Sequence, residues 1–264
     1  MPEEKRILVN VGMKKMPFPI NASSKVNPDG QPTVANISIS ARIMHDFEAR
    51  WIDKFIHVVH QHRDKINTKM LRSNVIDYLD ELKATTVTVQ YDYPFFIEKT
   101  TPVSGEKCLV EYQCSFSAKM SSTMDSPKVL LRMDIPIITT DPASVSGENG
   151  GLFGQLSLVN IEVESSNSTY PEDLVDLADR HSLSPVYSYL SSEDKLHIIK
   201  KVHSAKVSSV VATDAIRAEL SQDPSIVWYS VNCSNYGMLH TYSTVVGTEM
   251  NSWVPYSCAG EEMI

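Results

Sequence analysis

The chain of 264 residues carries 24 Lys and Arg against 32 Asp and Glu, a net charge of -8 and a pI near 5.5. That balance argues against a nonspecific nucleic-acid binder and against a polybasic membrane anchor. No stretch nears the roughly 18 uncharged apolar residues that a bilayer span needs, and the length allows one large domain or two fused modules.

The start, Met1-Pro2-Glu3-Glu4-Lys5-Arg6, has no apolar core of signal-peptide length, so a soluble cytoplasmic protein is expected. Residues 5–11 and 34–40 read as short strands around a turn-rich segment, Asn27-Pro28-Asp29-Gly30-Gln31-Pro32. From Asp46, a plausible N-cap, the set Trp51, Ile52, Phe55, Ile56 and Val59 recurs at helical spacing. Leu71, Val75, Leu79 and Leu82 predict a second helix after Asn67. His57, His60 and His62 near the end of the first helix could pair on a metal, but no carboxylate at ligand spacing accompanies them. The bland reading is a polar face suited to the helix C-terminus.

A long β region follows. Val87 and Val89 alternate with threonines, Val110, Tyr112, Cys114 and Phe116 share one face, and Val129 to Ile137 and Val159 to Val163 repeat the pattern, giving four antiparallel strands. Pro136 marks a bulge or an edge within them. Cys108 and Cys114 would lie about 20 Å apart on an extended strand, too far to share a metal. With Cys233 and Cys258 they form no disulfide pattern, so reduced thiols are expected.

The next helix is signalled by Thr169 as N-cap, Pro171 in the first turn and Glu172 completing a capping box. Another surrounds Val207, Val210, Val211, Ala215 and Ala218, and strands at 225–233 and 238–246 complete the pattern. The loop Ser146-Gly147-Glu148-Asn149-Gly150-Gly151 has neither Walker spacing nor a basic companion, so it reads as a surface loop and not a phosphate cradle. Residues 247–264 lack periodicity and read as an extension. The order is strand-strand-helix-helix-strand-strand, given twice, an α+β tandem repeat. Two helices shield one face of a four-stranded antiparallel sheet, so the other face calls for partners and barrel-like self-association.

The run Pro94-Phe95-Phe96-Ile97-Glu98-Lys99-Thr100-Thr101-Pro102-Val103-Ser104-Gly105 says, by its local physics, only strand end and turn. Together with the repeat, it resembles the type IB GTP cyclohydrolases, built from two tunnelling-fold (T-fold) modules in one chain. The likeness extends over residues 8–246 and includes Val11-Gly12, Pro19-Ile20, Arg50, Trp228-Tyr229 and Asn235-Tyr236. It implies modules at 1–125 and 126–246 with an extension at 247–264. It also implies antiparallel sheets with paired helices on one face and conversion of GTP and water to 7,8-dihydroneopterin triphosphate and formate. A divalent metal (Zn or Mn) and a homo-oligomer, a tetramer, are implied as well.

The family's Cys-Pro-Cys-Ser-Lys turn and Gly-Ala-His-Asn-Gln-Arg-Ser run correspond here to Asp141-Pro142-Ala143-Ser144-Val145 and Gly151-Leu152-Phe153-Gly154-Gln155-Leu156-Ser157. Pro142, Ser144, Gly151, Gln155 and Ser157 match. The metal-binding Cys is Asp141 and the metal-binding His is Phe153. The Glu-Leu-Tyr ligand motif corresponds to Pro185-Val186-Tyr187, and the closing His-x-His to His240-Thr241-Tyr242. The purine-gripping glutamate falls near Ile199 or Lys200.

The resemblance therefore implies a site with Asp141 in a catalytic role and Asp141 and His240 toward a metal. Glu98, Lys99 and Gln155 are candidate substrate contacts, with a solvated surface pair as the bland reading of Glu98 and Lys99. One His and one Asp hold a divalent ion weakly or not at all. A noncatalytic T-fold protein that binds a purine or pterin, or a protein partner, is the alternative, and a T-fold enzyme of another type is a third.

Overall fold

The computed structural model describes residues 8–44, 51–64, 66–142, 144, 152–237 and 241–250. A hairpin opens the chain, β1 (Leu8–Ala22) against β2 (Gln31–Met44), paired from Leu8↔Met44 to Ala22↔Gln31. Both strands run well beyond the segments the sequence predicts. Pro17 and Pro19 conceal the continuation of β1, but β1 is an outer strand, where a missing N–H forfeits no ladder bond on the free side. A bulge between Met13 and Met16 places Lys15 at φ 54 on that edge.

Helix α1 (Trp51–Gln61) buries Phe55, Val58 and Val59, with Trp51 edge-on to Phe55. The expected N-cap Asp46 and the family-like Arg50 lie outside the described residues. The predicted helix α2 (Thr68–Glu81) follows Asn67, which caps it, its side chain accepting from the Met70 N–H at 2.9 Å. The histidines at the end of α1 and just beyond it make structural contacts: His62 Nε2 meets Asp77 at 2.8 Å, His60 packs edge-on against Phe18, and His57 bonds Gln61.

Four long strands follow: β3 (Thr86–Thr100), β4 (Lys107–Ser121), β5 (Lys128–Thr140) and β6 (Gly154–Ser165). Pro136 sits where β5 has parted from β4 after Asp134 and before a short strand, β7 (Ser184–Pro185), joins it at Ile137. That is a local edge, which proline tolerates. Helix α3 (Pro171–Arg180) begins one residue later than predicted. Tyr170 is the N-cap, and its N–H donates to Asp173. Glu172 instead turns inward to accept from Ser24 Oγ at 2.5 Å and the Lys25 N–H at 2.9 Å, tying the first hairpin's loop to α3.

The second half holds three helices where the repeat predicts two. The additional one, α4 (Ser192–Ser204), exposes Leu196 and Ile199 and buries few apolar residues, so its periodicity is weak. Helix α5 (Ser209–Gln222), β8 (Ile226–Tyr236) and β9 (Thr244–Glu249) complete the order, β9 starting later than the predicted 238.

All long strands join one antiparallel sheet in the order β1-β2-β3-β4-β5-β6-β8-β9. One face, carrying Ile37, Val89, Tyr91, Tyr93, Phe116, Met133, Ile161 and Val231, packs beneath α1, α2, α3 and α5 as one core. The opposite face is polar along its middle rows, with Asp92↔Ser115↔Arg132↔Glu162↔Ser230 in register. Cys108, Cys114 and Cys233 are buried free thiols, as expected, and burial pushes Cys114 up to about 12. Cys258 lies outside the described residues. No helix among the described residues is long and apolar enough to cross a membrane.

The first hairpin depends on close strand approach at Gly12, where an added Cβ would lie 2.5 Å from the Ile39 carbonyl oxygen and 3.3 Å from Ser40 Cα. Both are backbone atoms of the paired strand, so the strands themselves must part. Gly12→Ala is expected to lower unfolding stability by about 1–3 kcal/mol, read from the midpoint of urea denaturation.

Candidate active site

The family-like frame folds up at one end of the second half of the sheet. The register Thr140↔Gly154 and Leu156↔Tyr236 brings the end of β5, the start of β6 and the end of β8 side by side. On the helix-covered face, period-two alternation points Thr139, Gln155, Ser157, Cys233 and Asn235 into one buried cluster. Thr139 and Ser157 share a hydrogen bond of 2.8 Å, and Ser157 donates to Asn235 Oδ1 at 2.8 Å. Asn235 Nδ2 donates to Ser209 at 3.0 Å and Thr244 at 3.2 Å, while Gln155 Nε2 donates to Thr139 at 3.3 Å. Buried polar groups cost little when so satisfied.

Asp141 follows directly. Its N–H donates to the Phe153 carbonyl at 3.0 Å, and its own carbonyl accepts from Ser144 N–H at 3.1 Å and Oγ at 2.7 Å. The residue is buried, and its carboxylate faces Gly237: a Cβ there would lie 3.9 Å from Asp141 Oδ2. Asp141, Phe153, Gln155 and Ser157 are thus neighbours across one pair of strands, as the two-part motif implies. His240, Ala143 and Gly151 lie outside the described residues.

Glu98 and Lys99 leave β3 on opposite faces. Glu98 is exposed on the polar face and meets Lys107 at 2.7 Å. Lys99 is half-buried on the helix side, 2.6 Å from Asp179 of α3, with its ammonium over the rings of Tyr112 and Tyr187. Burial pushes the Asp179 carboxyl up, and the Lys99 charge only partly opposes it.

The loop between β3 and β4 is held by a residue that sequence reasoning missed. Asp194, fully covered at the start of α4, receives Val103 N–H at 2.8 Å, Ser104 N–H at 3.0 Å and Ser104 Oγ at 2.7 Å. Ser191 adds its N–H at 3.0 Å and Oγ at 2.6 Å. Burial opposes ionisation here, yet the bonds from Ser191, Ser104 and Val103 outweigh it and hold the carboxyl well below the usual range. The available signal was the capping box Ser191-x-x-Asp194, which the structure confirms.

Among the described residues no three His, Cys, Asp or Glu side chains converge to hold a metal ion. At the positions of the family's ligands, neither Phe153 nor Pro185 has a donor side chain. Among the described residues, those that the resemblance aligns with the family's ligands do not fit its metal.

A family model described as type I GTP cyclohydrolase folE2 matches residues 2–246. The chain belongs to that family. A GTP cyclohydrolase FolE2 of Geotalea uraniireducens is 30% identical over 240 residues, covering 90% of this chain and 87% of the relative. The FolE2 of Pelobacter propionicus is 27% identical over 254 residues, covering 95% and 96%. Among solved structures, urate oxidase from Bacillus sp. TB-90 superposes with a TM-score of 0.56 at 10% identity, over 92% of this chain and 99% of the other. Uricase from Arthrobacter globiformis gives 0.53 at 8% identity, over 92% and 93%. At that identity the likeness concerns the fold alone, and it is the α+β tunnelling fold.

Linkage gives Asp194 a defined pH signature. Its folded-state value lies below that of an unfolded aspartate, near 4, so its stabilisation is complete above about pH 4 and is lost as pH falls further. The melting-temperature gap between wild type and Asp194→Asn should therefore be widest near neutrality and should narrow steadily below about pH 4, as followed by circular dichroism.

Proposed function

We propose that the chain acts on a purine nucleotide as a GTP cyclohydrolase of its family, converting GTP and water to 7,8-dihydroneopterin triphosphate and formate. The observation that carries this reading is the frame itself. Ser144, Gln155 and Ser157, retained at family positions, fold with Asp141 into one buried end of the sheet. On this reading Asp141 acts at the reacting end, with His240 of the separate closing motif as its partner toward a metal. Gln155 secures the ends of β5 and β6. Glu98 is available to substrate from the polar face, whereas Lys99 is occupied by Asp179 and supports the wall.

In the family's reaction a bound Zn or Mn would supply a Lewis acid that activates water for purine ring opening. The absence of donor side chains at Phe153 and Pro185 favours a second reading, a noncatalytic family member that binds a purine or pterin.

The reading includes self-association, a homotetramer by family analogy. Its support is the outer edges of β1 and β9 and the exposed apolar residues Phe96, Leu109, Leu156, Tyr236 and Val245. The acidic balance speaks against nucleic-acid and membrane partners. Buried free thiols accord with a reducing, cytoplasmic setting.

The test is neopterin fluorescence after incubating purified protein with GTP and either Mn or Zn. Turnover that falls at least about a hundredfold in Asp141→Ala is the expected result. No neopterin, together with calorimetric binding of GTP or a pterin, would replace the catalytic reading with the second one.

A further inference from the structure

We propose that Asp194 is a positioning residue for this site: it makes the loop between β3 and β4 a strut that holds α4 and β7 against the end of β5. The inference rests on the reading of that end as a purine-nucleotide site.

The loop is stiff in its own right. Thr101 N–H donates to the Glu106 carbonyl at 2.9 Å, Glu106 N–H donates to Thr101 Oγ1 at 2.9 Å, and Thr101 Oγ1 and Ser104 Oγ lie 2.7 Å apart. A helix N-terminus needs one side-chain acceptor, and Ser191 already supplies it by accepting from the Asp194 N–H. Asp194 does more than cap. Three of its five donors come from Val103 and Ser104, some 90 residues earlier in the chain. A fully buried carboxylate so completely satisfied locks two segments in one relative position.

What it locks bears directly on the site. Val202 and Ile198 of α4 pack with Ile138, and an added Cβ at Gly154 would lie 3.1 Å from Val202 and 3.0 Å from Ile138, so the helix is seated on the strand pair that presents Asp141. Just beyond α4, Val207 exchanges two bonds with Thr140, its N–H to Oγ1 and its carbonyl to the Thr140 N–H, each 2.8 Å. Ahead of α4, β7 pairs with Ile137 and Ile138. The segment from 184 to 207 therefore grips the last residues before Asp141 from both ends. Asp194 fixes that segment to the first half of the chain, and the pair Lys99–Asp179 fixes its approach. The run at 94–105 thereby acquires a mechanical role through Val103 and Ser104.

The test compares Asp194→Ala and Asp194→Asn with Glu172→Ala, which releases the unrelated contact to Ser24 and Lys25. GTP affinity is measured by calorimetry on the full chain, and melting temperature and amide hydrogen exchange are recorded alongside. Asp194→Ala should weaken GTP binding at least about tenfold and speed exchange at residues 137–141 and 184–190. Asp194→Asn, which keeps one oxygen for the Val103 and Ser104 amides, should restore much of the affinity. Glu172→Ala should lower the melting temperature and leave affinity unchanged. Equal affinity losses in Glu172→Ala and Asp194→Ala, or none in Asp194→Ala, would overturn the proposal. Should wild type bind no GTP, the functional reading fails and exchange decides. Acceleration at 137–141 specific to the Asp194 variants would uphold the strut, and its absence would sink it.

Discussion

A two-residue alternation carried through eight long antiparallel strands is the constraint on which the rest of this molecule depends. Because successive side chains leave a strand on opposite faces, one register decides at once which residues enter the core and which line the polar face. Tyr91, Tyr93 and Phe95 go under the helices, whereas Gln90, Asp92 and Pro94 face away. A shift by one residue would exchange the two sets. The register holds across the join between the repeats, since β4 pairs with β5 as regularly as strands within either half.

The same alternation builds the candidate site. At the end of β5 and β6 it turns from apolar to small polar residues without changing face, so Thr139, Gln155, Ser157 and Asn235 occupy core positions and must satisfy one another. Among the described residues these side chains form one hydrogen-bonded cluster, and Asp141 follows directly at the end of β5. The family match spans residues 2–246, so these strands and their cluster lie within the matched region.

Sequence reasoning was strongest where periodicity was strong. Val110, Tyr112, Cys114 and Phe116, or Val129 to Ile137, could only be half-buried strands, and the stripe Leu71, Val75, Leu79 and Leu82 announced the helix after Asn67. It was weakest where tertiary contacts overrode local cues. The predicted first strand stopped at residue 11, whereas β1 runs on through Pro17 and Pro19, which an edge strand tolerates. Helix α4 escaped notice because Leu196 and Ile199 are exposed and only Ile198 and Val202 face inward. Glu172 fitted a capping box by spacing, yet the loop from Ser24 claims it, and Asp173 takes the local role.

By itself the sequence determined the class of fold and the family, and it named Asp141, Phe153 and Pro185 as the residues at the positions of interest. Those properties reside in local pattern and in residue identity. Only the tertiary structure decided that Glu98 and Lys99 part to opposite faces, that Lys99 serves Asp179, and that Asp194 binds a loop some 90 residues away. The physical reason is that hydrogen bonds and ion pairs between distant segments depend on how strands and helices are brought together, which no window of sequence contains.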